Sequence, residues 1–221
     1  REATDDEVLA SFLEQYYARA GSIPREVLVP SLTLDGEVLE QVDITRVLRR
    51  VPAGAVAEPV GRPVSVDVVQ RFDAFALAMV AADLVGVMQS AVDAATDYVQ
   101  QRKQFGVAVG TFQAVQHLAA DAKVLLEGAR SSSWYASWAA DELEPAEALL
   151  AARQAKAYAA RVGREVVALQ TQRLGGIAIT WEERAHVRVR RVLLDRVTLG
   201  DEFVHEDAIA ATRLTSAGPV R

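Results

Sequence analysis

The chain has 221 residues, with 24 Lys and Arg against 30 Asp and Glu, a net charge of −6 and 51% hydrophobic residues. That balance suits a chain with a large buried core and excludes a disordered one, while the acidic total argues against a general nucleic-acid binder. With no cysteine, a disulfide framework, a thiolate metal site and a Cys nucleophile are all excluded.

Residues 1–24 hold one amphipathic segment, Asp5–Ala20, with Val8, Phe12, Tyr16 and Ala20 at helical spacing and Gly21 and Pro24 as its stop. Residues 25–63 change texture. Val27-Leu28-Val29, then Leu32–Val42 broken by Asp35-Gly36, then Ile44–Val51 read as short strands. Strands so few and short cannot enclose a core, so they must lean on something else. No signal peptide is recognisable, and the opening on Arg1 rather than Met is compatible with a missing start. A cytoplasmic location is expected.

From residue 64 to 221 the pattern is helical. Val68, Phe72, Phe75, Met79, Leu84, Val87, Ala91, Ala95 and Tyr98 recur every three or four residues and predict one long helix to Lys103. The apolar run Phe75–Met88 inside it carries Asp83 and is too short to span a bilayer. A second helix is expected from Phe112, with Val115, Leu118, Ala122, Leu125 and Leu126 inward, and Trp134, Tyr135 and Trp138 as packing aromatics at its end. Glu144-Pro145 starts a third that runs to Gly175-Gly176, since Pro is tolerated at a first helical position. Thr180-Trp181-Glu182-Glu183 reads as a capping box opening a fourth helix to about Leu199, and Glu202–Leu214 as a short fifth. The expected fold is mainly α: an antiparallel four-helix bundle with a small β segment before it.

Few residues point to chemistry on physical grounds alone. His117, His186 and His205 stand apart from one another, so no helix-borne metal site is expected, and they read as surface or capping residues. Arg184, Arg188, Arg190, Arg191 and Arg196 alternate with acids on one helix and read as a solvated or subunit-facing surface. Two helix ends are richer. Tyr98-Val99-Gln100-Gln101-Arg102-Lys103-Gln104-Phe105-Gly106 is followed by Phe112-Gln113-Ala114-Val115-Gln116-His117, and Gln172-Arg173-Leu174-Gly175-Gly176 ends the third helix. An anionic phosphate can use an Arg fork and the amides of a helix N-terminus together, and paired glycines let a backbone approach a ligand closely.

These motifs, in this order and spacing, resemble the acyl-CoA dehydrogenase family over residues 66–215, and Val29–Gly61 resembles the end of that family's β domain. The resemblance implies FAD bound between subunits and removal of hydrogens from Cα and Cβ of an acyl-CoA, with electrons passed to an electron-transfer flavoprotein. It implies that Arg102 contacts the FAD pyrophosphate with Gln104, Phe105 and Gln113 beside it. Gln172, Gly175 and Gly176 would reach FAD held mainly by a neighbouring subunit. Two departures stand out. The family's usual catalytic Glu falls on Leu199, and the alternative position on the first long helix falls on Ala76; neither accepts a proton. Asp201 and Glu202 lie one or two residues off. The segment before the bundle is also short for the family's two preceding domains. Both departures are explained by a heteromeric acyl-CoA dehydrogenase, such as a two-plus-two tetramer acting on bulky steroid side-chain thioesters, in which a related subunit supplies the Glu. Two alternatives stay open: a flavin monooxygenase or oxidase of the same fold, and a non-catalytic structural partner. Neither nucleic acid nor membrane is expected as a partner.

Overall fold

The computed structural model describes residues 43–46 and 63–216, in a chain that divides into two units, Arg1–Glu58 and Pro59–Arg221. In the first unit only a turn is described. Asp43 Oδ1 accepts from the Thr45 amide at 2.8 Å and the Thr45 hydroxyl at 2.7 Å, and Arg46 N donates to Asp43 O at 3.1 Å. This is an aspartate-stabilised turn, where the alternation had suggested the start of a strand at Ile44. The helix expected over Asp5–Ala20 and the rest of the short strands lie outside the described residues.

The second unit is built on α1 (Val66–Gln101), α2 (Gln113–Glu142), α3 (Pro145–Leu174), α4 (Ala185–Val197) and α5 (Glu202–Ser216). Long helices joined by brief connections must run antiparallel, and α1, α2 and α3 do so. Their starts match local signals. Ser65 caps α1 by accepting from Val68 N, and Pro145 occupies the first turn of α3. Alanine and glycine dominate the interior of α3, where Ala148, Ala152, Ala155, Ala159 and Ala160 are buried. At Gly163 an added Cβ would stand 3.3 Å from Val192 and 3.5 Å from Leu84. Small residues thus let α3 approach α1 and α4 closely, and Leu84, Met88, Leu126 and Val166 fill the space between. Each fully buried side chain of that size contributes about 1.5–3 kcal/mol.

The helical stripe expected on α1 is only half right. Its buried face is Ala74, Leu77, Ala78, Ala81, Leu84, Val85 and Met88, while Val68, Phe72, Phe75 and Met79 are exposed. Two overlapping apolar stripes run along this helix, and periodicity alone does not say which one faces inward. The run Phe75–Met88 therefore sits within a helix that is long and apolar enough to cross a membrane by length and composition, with mean hydropathy 1.8 over its best 18 residues. The helix nonetheless serves as a bundle core element. Trp134, Tyr135 and Trp138 are exposed rather than packed into the bundle, with the Tyr135 and Trp138 rings 5.7 Å apart. The capping box also fails. Thr180 Oγ1 donates to Ile177 O at 2.8 Å, closing the short 3-10 turn Gly175–Ile179, and α4 begins only at Ala185.

Candidate functional site

One end of the bundle gathers both helix-end motifs. Tyr98 on α1 packs with Leu174 and Ile177 beyond α3, around Ala95, Ala178 and Ala185. Past α1 the chain forms a minimal hairpin, β1 (Lys103–Gln104) and β2 (Val107–Ala108), paired Lys103 to Ala108 and Gln104 to Val107. Its two-residue turn is Phe105-Gly106, with φ of +53° and +81°, the sign pattern of a type I′ turn. Glycine is at ease there and phenylalanine is not. The strained Phe105 ring is 94% exposed and meets Phe112 edge-on at 6.4 Å. Arg102 caps α1, its N–H donating to Tyr98 O and its carbonyl accepting from Val109 N, both at 2.8 Å. Its side chain is exposed and pairs with no carboxylate among the described residues. Gln104 Nε2 turns back to Lys103 O at 2.8 Å. Gln113 opens α2, and both it and Gln172 are exposed. Gly175 has φ +66° and ψ −142°, a conformation that favours glycine, and no atom lies within 4 Å of where a Cβ would stand on it or on Gly176. Their backbone is open to approach.

Behind the hairpin, the end of α1, the start of α2 and the end of α3 enclose a pocket of about 380 Å³. None of the residues expected to hold a cofactor lines it; its lining includes Arg173, the neighbour of Gln172.

The opposite end of the bundle contains the α4–α5 turn. Leu199 (φ +59°) and Gly200 (φ +100°) form it. Lys156 of α3, wholly buried, donates through Nζ to Arg196 O at 2.9 Å and Gly200 O at 2.8 Å. Burial lowers the pKa of this ammonium to about 8, against the pull of Asp195, Glu202 and Asp201. Arg196 grips Glu202 with Nε at 2.9 and 3.0 Å and Nη2 at 2.7 Å. Burial opposes the Glu202 charge, but the guanidinium fork outweighs it and holds the carboxyl below its usual range. Asp201 caps α5, accepting from Val204 N at 3.1 Å. Neither Asp201 nor Glu202 is among the side chains that line the adjacent pocket of about 210 Å³. Leu199 does line it, with Asp73 and Leu77 from α1, Arg153 from α3 and His205 from α5. Ala76 lies on α1 between Asp73 and Leu77. His205 is buried against Gly200, and burial, then Lys156 and Arg153, lower its pKa and favour the neutral ring.

A family model for the acyl-CoA dehydrogenase C-terminal domain matches residues 68–214, the whole bundle. The chain belongs to the acyl-CoA dehydrogenase family. Acyl-CoA dehydrogenase FadE34 of Mycobacterium tuberculosis is 36% identical over 126 residues, 55% of this chain and 17% of that protein. A structure described as the Tcur3481-Tcur3483 steroid ACAD superposes with a TM-score of 0.61 at 30% identity, covering 65% of this chain and 39% of the other. Butyryl-CoA dehydrogenase from Megasphaera elsdenii gives 0.62 at 26% identity, over 66% and 37%. The chain thus spans well under half the length of these relatives. Separately, a model for the UvrC ribonuclease H-like domain matches residues 1–53.

In this acyl-CoA dehydrogenase bundle, α1 and α3 bring Arg102, Gln104, Phe105, Gln113, Gln172, Gly175 and Gly176 to one end. At the other end Leu199 lines the pocket of about 210 Å³, and Ala76 is not among the residues that line it. Sequence reasoning missed Lys156, Arg173, Asp73 and the burial of His205. His205 is neither a surface nor a capping residue; His117 is exposed, and His186 is half-buried, with Nδ1 3.1 Å from Glu183 O and its ring edge-on to Trp181. The arginines of α4 are not simply solvated. Arg188 pairs with Glu183 at 2.5 Å and Arg191 with Asp83 at 3.1 Å, tying α4 to its neighbours.

Proposed function

We propose that this chain is one subunit of a heteromeric FAD-dependent acyl-CoA dehydrogenase, contributing flavin contacts while a second, related chain supplies the catalytic glutamate. One observation carries the reading: Leu199, at the family's usual base position, is apolar and lines the pocket of about 210 Å³, and Ala76, at the alternative position, is apolar too. Removing a Cα proton requires a positioned acceptor, and neither leucine nor alanine is one. Asp201 and Glu202 do not substitute, because one caps α5 and the other is held in the Arg196 fork.

The donor set at the other end fits a dinucleotide. It offers an exposed guanidinium without a carboxylate partner among the described residues, exposed amides, a projecting aromatic ring and two glycines with open backbone. Arg102 would neutralise the pyrophosphate, Gln104, Phe105 and Gln113 would lie alongside, and Gln172, Gly175 and Gly176 would admit cofactor held mainly by a partner. FAD, when bound, supplies the hydride acceptor for Cβ, and an electron-transfer flavoprotein would take the electrons onward. Similarity to a structure described as a steroid ACAD with a two-part name supports a two-chain assembly, such as α2β2, and a bulky acyl-CoA. Residues 25–63 are read here as the end of the family's β domain. The ribonuclease H-like match over 1–53 competes with that reading. Loss of flavin from the complex on deleting residues 1–58 supports the β-domain assignment, and full retention removes it.

The deciding measurement is the visible absorption spectrum of the chain purified alone and then with its dehydrogenase-like partner. Flavin bands only in the complex are expected. A flavin-loaded homo-oligomer of this chain with full dehydrogenase turnover overturns the reading and moves attention to Asp73, a carboxylate that lines the pocket. Within the complex, Arg102→Ala should weaken FAD binding at least tenfold without changing assembly, as measured by flavin release and sedimentation.

A further inference from the structure

Arg173 is 6% exposed, on the last turn of α3. Its Nη atoms reach Thr96 Oγ1 at 3.4 and 3.5 Å and the side-chain oxygen of Gln170, and its Nε has no hydrogen-bond partner. No carboxylate pairs with it among the described residues. Desolvation alone pushes its pKa down. Beside it, the buried Nε2 of Gln170 also lacks a partner. A charge buried without a counter-charge is costly, and even the half-buried Arg196 of α4 is paired, with Glu202. Arg173 has neutral oxygens only.

The missing acceptor has a place to sit. Arg173 lines the pocket of about 380 Å³ behind the hairpin and is its one charged lining residue, among Thr96, Gln100, Gly110, Thr111 and Gln116. Gly110 and Thr111 bring the start of the 30-residue α2 to the pocket, and no side chain caps that helix. The partial positive charge of that helix end adds to the guanidinium. A Cβ on Gly110 would stand 3.1 Å from Val99 O, tighter than ordinary contact, so the loop lies close against α1.

We propose that this pocket is an anion site for a phosphate or pyrophosphate group, with Arg173 as its central cation. The inference deepens the flavin reading and rests on it for one source of the anion, the FAD pyrophosphate; a phosphate ester of another ligand has the same chemistry. Arg102, exposed at the end of α1, and Arg173, buried behind it, would then share the negative charge from two sides.

The test uses thermal unfolding of the full chain with inorganic pyrophosphate, at constant ionic strength, because every lining residue comes from this chain. Pyrophosphate at a hundredfold excess over its dissociation constant should raise the midpoint by roughly 5–10 °C. Arg173→Leu should abolish that rise while the ligand-free midpoint holds or increases, and Arg173→Lys should keep part of it. No rise in the wild type overturns the proposal, as does a full rise in Arg173→Leu. A ligand-free Arg173→Leu that unfolds several degrees early also overturns it, since that is the mark of a structural arginine. FAD retention in the two-chain complex separates this inference from the flavin reading. Loss of the pyrophosphate response with FAD retained assigns the site to another phosphate ester. FAD loss in Arg102→Ala, with the pyrophosphate response of Arg173→Leu intact, leaves the flavin reading standing and removes this one.

Discussion

The two ends of the bundle treat their charges in opposite ways. At the α4–α5 turn, Lys156 is satisfied by two carbonyls and Arg196 by a bidentate carboxylate. At the hairpin end, Arg102 is exposed without a carboxylate partner among the described residues, Arg173 is buried with only neutral partners, and a phenylalanine occupies a left-handed turn position. The first end spends its polar groups on holding itself together, and the second leaves them available. The α4–α5 turn, with Leu199 and Gly200 at positive φ, is held in place by Lys156.

The sharpest way to break this comparison is Lys156→Met. It leaves the Arg196 and Gly200 carbonyls without their donor inside the core, and a loss of about 2–4 kcal/mol is expected from urea unfolding. The pH dependence has a definite sign. Burial holds the folded-state pKa near 8, below that of the unfolded chain, so the unfolded state binds more protons between these values. Stability then rises as pH climbs from about 8 toward 10 in the wild type, and this increment is absent in Lys156→Met. Next in size is Glu202→Gln, which removes the anion from the Arg196 fork and should cost about 1–3 kcal/mol at pH 7. Because Glu202 sits below its usual pKa, its stabilisation is present above the unfolded value and is lost as pH falls through the folded one. The gap between wild type and Glu202→Gln in acid unfolding curves should therefore close below about pH 4. The smallest effect has the opposite sign. Phe105→Asn gives the hairpin the residue its turn prefers and should stabilise the chain by about 0.5–1 kcal/mol. If the projecting ring serves the cofactor, the same change weakens flavin retention in the complex, and a stability gain without that loss would place Phe105 outside the site.

Much of the bundle was legible because its punctuation is local. Pro145 begins α3 and Gly175 ends it, each where the residue's own backbone preference favours a boundary, and α5 begins after Gly200 and the Asp201 cap. The motifs expected to hold a cofactor fall on helix ends for the same reason. The hairpin was not, because strands of two residues carry no periodicity. Nor were Lys156 and Arg173, since a charge within a helical pattern is ordinarily assigned to the solvent face. Their burial depends on which carbonyls or cavity the neighbouring helices present, and that is set only when the helices pack. Thr180 shows the same limit from the other side: the capping spacing is present, but the helix starts only at Ala185, five residues on.

Helix α1 also has a history that the finished fold conceals. It is apolar on more than one face, and its most extensive packing is against α3, which is complete only about seventy residues later in synthesis. At translation rates of about 5–20 residues per second, the helix waits roughly 4–15 seconds for that partner. During that interval it has the length and apolarity of a segment bound for a lipid bilayer. Asp83, later paired with Arg191, is one of the few charges that mark it otherwise. Its apolar faces are withdrawn only as α3 and α4 pack against it.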